Sequence, residues 1–482
     1  MINITAVILA GGLGRRLWPL SNHLCPKQFA KLNEQQDRSM FQMAVERSME
    51  LPIRDIIVST NQLHRHIIDQ EIDRYNDCDF HIILEPSIKN TLPAITAATT
   101  LSSIMESDIA VIMPSDHLFE NNLEFTSCLK NAIHYVTHHP ENILIFGKSI
   151  TEINTSYGYI RRGDQIKNSI YAVHSFIEKP NNQNALKYVH NSICYHNIGI
   201  LIGYSKTILN GVKKYNEKSY NASEMALKTS SLYGSKIILN PYYWDRNENI
   251  SMDYGFLEKT DNLVVMPMDT SWHDIGEWKS LSVASVRDGD NNSINGDVTI
   301  VDVTRSYIDN RSNTELIVSG LSDVDVYVDN NITIISSKKG MDQKTLYTIA
   351  KNRCSTNTDT IIHYSWGSVE NIFINNRCTI RKIHIRPWQI TPMRISHCYN
   401  KYIDIFCGSA DLEIGESPFD MKKTNTASIE QGKLYRILNT SDAQTTILEI
   451  NESANIFHDI WCINDTWDTI HNINKPHHYL PT

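Results

Sequence analysis

An apolar run that breaks into glycines and then into cations governs what the amino end of this chain can become. Thr5–Ala10 reads Thr-Ala-Val-Ile-Leu-Ala, and Gly11-Gly12-Leu13-Gly14 follows without a spacer. Arg15 and Arg16 come next, and Lys27 follows Pro26. The apolar run predicts a buried strand, and the glycines predict a turn at its carboxyl end. Glycines let a backbone approach a polyphosphate with its N–H groups pointing at it, while arginines and a lysine add fixed positive charge. Gly11, Gly12, Gly14, Arg15 and Arg16 are therefore candidates for cradling a nucleoside triphosphate. Lys27 is the candidate for charge on the α-phosphate or the departing pyrophosphate.

The segment is neither of the two commonest phosphate loops. A P-loop requires G-x-x-x-x-G-K-S/T, and no Lys-Ser or Lys-Thr follows these glycines. A dinucleotide fingerprint requires a third glycine that is missing here. Instead the segment resembles the signature loop of the sugar-phosphate nucleotidyltransferases, G-G-x-G-x-R-L-x-P…P-K. Within that group, Leu17-Trp18-Pro19-Leu20-Ser21 and Pro26-Lys27-Gln28-Phe29 are similar to the mannose-1-phosphate guanylyltransferases.

Composition narrows the classes. A chain of 482 residues holds several domains able to bury their own cores. Its net charge of -9, with no basic tail, argues against broad nucleic-acid binding. No run approaches the ~18 apolar residues of a membrane span. The apolar start has no basic leader and meets glycines within ten residues, so it reads as a strand and not as a signal peptide. Nine scattered cysteines without a C-x-x-C pair fit reduced thiols in a cytoplasmic protein.

Residues 1–287 alternate strands and helices. Strands are expected at Thr5–Ala10, Asp55–Ser59, His81–Leu84, Ile109–Met113 and Asn142–Phe146, with helices such as Ser39–Met49 and Thr91–Met105 between them. That rhythm predicts an α/β, Rossmann-like domain on a mixed, mainly parallel sheet, with ligands beyond the carboxyl ends of the strands. A polar, turn-rich stretch at 288–296 marks a boundary. Residues 288–352 read as a β-rich linker, with strands at Asp297–Val303, Ser306–Ile308, Thr314–Ser319, Val324–Val328 and Ile332–Ser336 and a closing helix at Asp342–Lys351. Residues 353–482 are all β, with strands at Thr379–Ile385, Tyr402–Cys407, Thr424–Ile429 and Gln444–Ile450, and a small barrel is the expected packing.

Nucleotidyl transfer asks little of acids and bases, because the attacking phosphate is already ionised. The protein must align two anions and stabilise charge at phosphorus, with amides, cations and a carboxylate-held metal. Asp116 follows the run Val-Ile-Met-Pro-Ser. Taken alone it fits a helix cap; beside phosphate it fits a Mg²⁺ ligand. The resemblance supplies its partner: Trp272-His273-Asp274-Ile275-Gly276-Glu277-Trp278 is similar to the family's W-x-D-x-G-x-W, where the aspartate is the second metal ligand. Arg16, Lys27 and Asp116 are thus the candidate catalytic residues.

The same resemblance orders the remaining elements. Glu85-Pro86 through Asn90-Thr91 is similar to E-P-x-x-R-N-T-x-P-A beside the nucleotide, which makes Glu85, Asn90 and Thr91 nucleotide contacts. Gly158 and Tyr159 fall in the glycine turn at the sugar, and Glu178 and Lys179 in F-x-E-K-P, facing sugar hydroxyls and phosphate. Asn197 stands for the asparagine of W-N-S-G, and Ser251-Met252-Asp253-Tyr254 for S-I-D-Y. Departures occur at Arg15, Asn22, Lys89, Ile198 and Glu277, where the family usually carries Thr, Arg, Arg, Ser and Ser. None removes an expected metal ligand or Lys27.

Further on, Tyr364-Ser365-Trp366-Gly367-Ser368 is similar to the R-P-W-G-S opening of the type II phosphomannose isomerase cupin, which bifunctional relatives carry. Aligned on Pro387 and Cys407-Gly408, Arg394, Ser396, Cys398, Lys401 and Tyr402 fall where that domain places its metal ligands and their neighbours, leaving His397 alone, and the downstream run Tyr435-Arg436-Ile437-Leu438-Asn439 puts Tyr435 on the remaining histidine. Arginine and lysine repel a cation, so no cupin metal and no isomerase activity are expected. The resemblance implies GMP transfer from GTP to mannose 1-phosphate with Mg²⁺, in a homodimer. A different nucleotide and sugar pair, or a non-catalytic scaffold, are the alternatives that the sequence leaves open.

Overall fold

The computed structural model describes residues 2–12, 17, 18, 20, 21, 26–32, 38–75, 78–119, 121–189, 193–233, 236–268, 270–275, 278–329, 332–338, 345, 348, 361–364, 366–374, 378–391, 394, 395, 400–414, 417–420 and 426–451. The chain divides into two compact units, residues 1–347 and 348–482.

The first unit is built on one large sheet. Its strands are β1 (Ile4–Leu9), β2 (Asp55–Asn61), β3 (Asp79–Glu85), β4 (Ile109–Pro114), β6 (Ile143–Ser149), β7 (Tyr159–Lys167), β8 (Ile170–Ile177), β9 (Cys194–Tyr204), β10 (Ser231–Tyr233), β11 (Lys236–Ile238) and β12 (Leu263–Pro267). They lie in the order β10-β11-β3-β2-β1-β4-β9-β6-β12-β8-β7. Two short strands, β5 (His117–Phe119) and β13 (Trp272–Asp274), form a separate antiparallel pair.

Apolar residues on both faces of β1 explain its central place. Ala6 and Ile8 face one core layer with Val111 and Met113 of β4, while Val7 faces the other with Ala110 and Ile112. Helices α1 (Met40–Met49), α2 (Arg65–Ile72) and α4 (Asn122–His138) supply one layer. Helix α3 (Thr91–Ile104) supplies the other and is buried from Leu92 to Ser102, with the Thr96 and Thr100 hydroxyls donating to Leu92 O and Thr96 O of the helix itself. Helix α1 begins with a capping box: Gln42 N–H donates to Ser39 Oγ, and Ser39 N–H to Gln42 Oε1.

The expectation of a mainly parallel sheet holds for the half around β1, where β11, β3, β2, β1 and β4 run parallel. The other half corrects it. Strand β9 runs antiparallel to both β4 and β6, and β7 and β8 form an antiparallel hairpin. The sheet is therefore mixed in nearly equal parts. The direction of β9 follows from tertiary pairing, which its apolar composition does not encode.

Residues 293–337 coil so that each of the first three strands pairs in parallel with the strand two places on. Ser293–Asn295 lies beside Tyr307–Asn310, which lies beside Val324–Val328. Val298–Val301 lies beside Leu316–Ser319. Thr333–Ser337 closes the coil antiparallel. Tyr307 and Tyr327 pack with Leu17, Leu20, Ile275 and Trp278, so the coil abuts the chain around the glycine segment. The expected helix Asp342–Lys351 falls almost wholly outside the described residues.

The described residues of the second unit from 361 on form strands and turns. A six-stranded antiparallel sheet includes Thr379–Ile385, Thr445–Asn451 and Lys401–Cys407, and a four-stranded sheet includes Leu434–Leu438 and Asp411–Ile414. Inward residues of both sheets, among them Ile383, Ile403, Ile447, Leu412 and Ile437, share one core. Among the described residues the ladders leave two separate sheets and do not close a barrel.

Candidate active site

The carboxyl ends of β1 and β4 lie side by side, with Leu9 paired to Pro114. Chain therefore leaves both strands on the same edge: Gly11 and Gly12 from β1, Ser115 and Asp116 from β4. Ser115 Oγ donates to Leu9 O at 2.7 Å and holds the two exits together. Gln28 fixes the glycine segment from the other side. It is 2% exposed, and its Nε2 donates to Ala10 O and Gly12 O, each at 2.8 Å. The motif Pro26–Phe29 thus works through its glutamine as well as its lysine, a role the sequence reading did not assign.

Lys27 begins a short 3₁₀ turn and reaches across the site. Its Nζ lies 2.8 Å from Asp116 Oδ2, 3.5 Å from Asp274 Oδ1 and 3.0 Å from Ile275 O. Strand β13 brings Asp274 here by pairing with β5, with Asp274 directly opposite His117. Ligand atoms of Asp116, His117 and Asp274 all lie within 4.8 Å of one another. Burial pushes the Asp116 carboxyl up, but Lys27 and His117 outweigh it and hold it below the usual range. Burial pushes His117 down, against the pull of Asp116 and Asp274. The two acids expected to share a cation are together, with the Lys27 ammonium paired to both. This donor set fits a divalent ion.

A cavity of about 300 Å³ opens beside them, lined by Gly11, Gly12, Glu85, Ile88, Asn90, Thr91, Asn249 and Asp116 among others. Glu85 lies so close to the glycines that a Cβ on Gly11 would meet its Oε1 at 3.2 Å. Burial pushes the Glu85 carboxyl up to about 7, against the hydrogen bond it accepts from Ser59 Oγ. Asn90 takes a left-handed φ of 69° and caps α3, accepting from Thr91 N–H at 2.9 Å. Lys89 is turned away from this cavity's acids: its Nζ donates to Asp245 O at 3.0 Å.

The sugar-side candidates form their own cluster. A Cβ on Gly158 would meet Glu178 Oε2 at 2.7 Å and Asn197 Cβ at 3.2 Å, so glycine is needed for this approach. Lys179 Nζ donates to Glu178 Oε1 at 2.5 Å, and Asn197 Nδ2 to Asp253 Oδ1 at 3.0 Å. Met252 N–H donates to Thr91 Oγ1, which ties this cluster to the start of α3. The Tyr159 ring is buried against Tyr188 and His196. Gly14, Arg15 and Arg16 lie outside the described residues, as do Asn22 and Glu277.

Residues 5–291 match the family model described as nucleotidyl transferase. The chain belongs to that family. Over 463 residues this nucleotidyltransferase is 28% identical to mannose-1-phosphate guanylyltransferase 2 of Escherichia coli O157:H7, covering 93% of this chain and 95% of that protein. It is 26% identical over 456 residues to the alginate biosynthesis protein AlgA of Pseudomonas aeruginosa, covering 93% of each. The crystal structure of a mannose-1-phosphate geranyltransferase from Thermus thermophilus shares the fold, with a TM-score of 0.64 and 21% identity over 73% of this chain and 99% of that one.

In the second unit of the nucleotidyltransferase, Arg381, Arg394, Lys401 and Tyr435 gather around a buried acid. Arg394, Lys401 and Arg381 place nitrogens 3.8, 4.0 and 3.5 Å from the Glu449 carboxylate, and Tyr435 Oη donates to it at 3.0 Å. All five residues are at most 5% exposed. Burial pushes Glu449 up, but the three cations hold it down at about 2. Ser396, His397 and Cys398 lie outside the described residues.

Proposed function

We propose that the protein transfers GMP from GTP to mannose 1-phosphate, giving GDP-mannose and pyrophosphate. The observation that carries this reading is the meeting of Lys27, Asp116 and Asp274 at the mouth of the Gly11–Gly12 cavity. In that arrangement the amides of Gly11 and Gly12 receive the triphosphate. Lys27, released from the two acids, neutralises charge at the α-phosphate and the departing pyrophosphate. Asp116 and Asp274 would hold a divalent ion, Mg²⁺ in this reading, which would offset charge on the bridging phosphate oxygens. The sugar phosphate attacks as an anion, so its pairing with Lys179 and the hydroxyl contacts of Glu178 and Asn197 orient it without a general base.

Two features support the substrates named for the relatives. The buried Glu85 carboxylate can accept two N–H bonds, and the guanine edge offers N1–H and N2–H₂ side by side. Adenine offers an acceptor at N1 and would leave the acid unmatched. The chain also spans nearly the full length of both relatives. Arg16, with Gly14 and Arg15, is assigned to the triphosphate from the sequence alone, since all three lie outside the described residues. We further propose three domains, 1–287, 288–352 and 353–482, the last a cupin-like module without isomerase chemistry, in a cytoplasmic homodimer. Among the described residues no helix is long and apolar enough to cross a membrane.

The test is pyrophosphate release by the purified full-length chain with each of four nucleoside triphosphates and several sugar 1-phosphates. GTP with mannose 1-phosphate should give the highest kcat/KM, with GDP-mannose identified by mass. No release with any pair would overturn the enzyme reading, and a preference for another pair would overturn the substrate assignment.

A further inference from the structure

We propose that His117 is a direct third ligand of the metal held by Asp116 and Asp274, making the centre a mixed nitrogen–oxygen site that binds Mn²⁺ and Co²⁺ more tightly than Mg²⁺. The inference rests on the metal-dependent transfer proposed above and adds a nitrogen donor to it.

Pairing in the β5–β13 ladder sets the geometry. Residues directly opposite in an antiparallel pair project from the same face, so His117 and Asp274 leave the ladder on one side. Asp116 precedes His117 at the strand entrance. A ring nitrogen of His117 and one carboxylate oxygen from each aspartate lie within 4.8 Å of one another, a span that an ion coordinated by all three can bridge. A second observation is independent of the acids. His117 is 6% exposed, and its Nδ1 is buried with no hydrogen-bond partner among the described residues. A buried ring nitrogen without a partner forfeits the bond it had in water. The rest of the ring is well held, edge-on to Trp272 at 5.4 Å and to Phe119 at 6.3 Å. Arg47 donates to its backbone oxygen at 3.1 Å. The protein has thus fixed an imidazole at the acid pair and left a nitrogen unmatched.

The ligand type decides the selectivity. Mg²⁺ prefers oxygen donors and gives up its waters reluctantly, so an imidazole adds little to its affinity. Mn²⁺ and more so Co²⁺ accept imidazole nitrogen readily. Lys27 competes with all of them alike, because its ammonium contacts the aspartates.

The test uses the full-length chain without substrates, so it does not depend on turnover. Mn²⁺ is added to the wild type and to Lys27→Ala, in which the competing ammonium is gone, and electron spin-echo envelope modulation is recorded. Directly coordinated imidazole should give ¹⁴N modulation in at least Lys27→Ala. His117→Gln should lose the modulation while still binding Mn²⁺, and Asp274→Asn should weaken binding itself. Calorimetric titration should show His117→Gln losing about tenfold or more in Co²⁺ affinity and a smaller factor in Mg²⁺ affinity. Bound Mn²⁺ without ¹⁴N modulation, or no Mn²⁺ binding by either protein, would overturn the proposal. Failure of nucleotidyl transfer with ¹⁴N modulation present would overturn the proposed reaction and leave the ligand assignment standing.

Discussion

The ammonium of Lys27 lies 2.8 Å from the carboxylate of Asp116, so one cation serves an acid that the proposed transfer assigns to another. It also reaches Asp274 at 3.5 Å and keeps two like charges from facing each other unscreened. A divalent ion and a triphosphate together would satisfy both sides, the ion taking the acids and the phosphate taking the lysine. Lys27→Ala should therefore lower kcat/KM at least ~100-fold, the ~2.7 kcal/mol of one lost electrostatic donor. The same variant should show a larger rise in melting temperature on addition of Mg²⁺ than the wild type does. Steady-state kinetics and thermal denaturation with and without Mg²⁺ check both halves. Nearly full turnover would exclude the phosphate role, and an unchanged Mg²⁺ response would exclude the competition.

Glu85 should make nucleotide binding sensitive to pH. Burial raises its carboxyl from an ordinary 4.5 to about 7 in the free protein. A carboxyl with a raised folded value is protonated more readily folded than unfolded, so ionising it costs stability as pH climbs from 4.5 toward 7. Two N–H donors from guanine require the ionised form. GTP binding below pH 7 should thus release a proton, and affinity should fall by about tenfold per pH unit well below that point. Glu85→Gln should abolish this slope and narrow the preference for GTP over ATP. Calorimetry at pH 6 and 8, in buffers of different ionisation enthalpy, measures the proton count. A flat affinity profile in the wild type would remove Glu85 from base recognition.

A substitution at Gly158 should separate sugar binding from nucleotide binding. An added methyl would meet Glu178 Oε2 at 2.7 Å and the Phe176 ring at 3.1 Å, and Glu178 is held on its other side by Lys179. Gly158→Ala must displace the carboxylate assigned to the sugar hydroxyls. The expected outcome is a KM for mannose 1-phosphate raised about tenfold or more, the loss of one hydrogen bond to a charged group, with the dissociation constant for GTP changed little. Equal effects on both substrates would mean that the cluster supports the fold and does not read the sugar.

What the sequence revealed and concealed follows from the range of the interactions involved. Strand β1, its glycine exit and helix α3 are local patterns, and each formed within a residue or two of its expected place. The convergence of Asp116 and Asp274 was reachable only through the resemblance, because β13 reaches β5 across more than 150 residues of intervening chain. The roles of Gln28 and His117 were not legible at all. Gln28 acts through backbone carbonyls that any sequence offers, and His117 through a cross-strand pairing that no spacing encodes. In the second unit Arg394, Lys401 and Tyr435 were singled out in the sequence, as residues unsuited to hold a cation. Their partner was not, because Glu449 sits in an ordinary alternating strand in which Ile447, Glu449 and Asn451 point inward.

Glu449 now organises that interior as a negative centre among positive side chains. Removing one member of a buried ion cluster costs more than the cluster contributes, because the remaining charges are stranded. Glu449→Gln leaves Arg381, Arg394 and Lys401 buried together, and should lower the unfolding free energy of the second unit by ~3–5 kcal/mol. Adding Lys401→Met should restore part of that loss, since one stranded charge is then gone. Acid should act in the same direction as the substitution. The carboxyl is held down at about 2 against an ordinary 4.5. Its contribution is complete above 4.5 and is lost as pH falls toward 2, because the unfolded chain binds the proton first. Urea denaturation at pH 7 and pH 3, followed by the near-ultraviolet signal of Trp366 and its neighbours, should show the wild type converging on the variant at the lower pH. If Glu449→Gln unfolds at the same urea concentration as the wild type at pH 7, the cations are screened by other groups and the carboxylate is not what holds them.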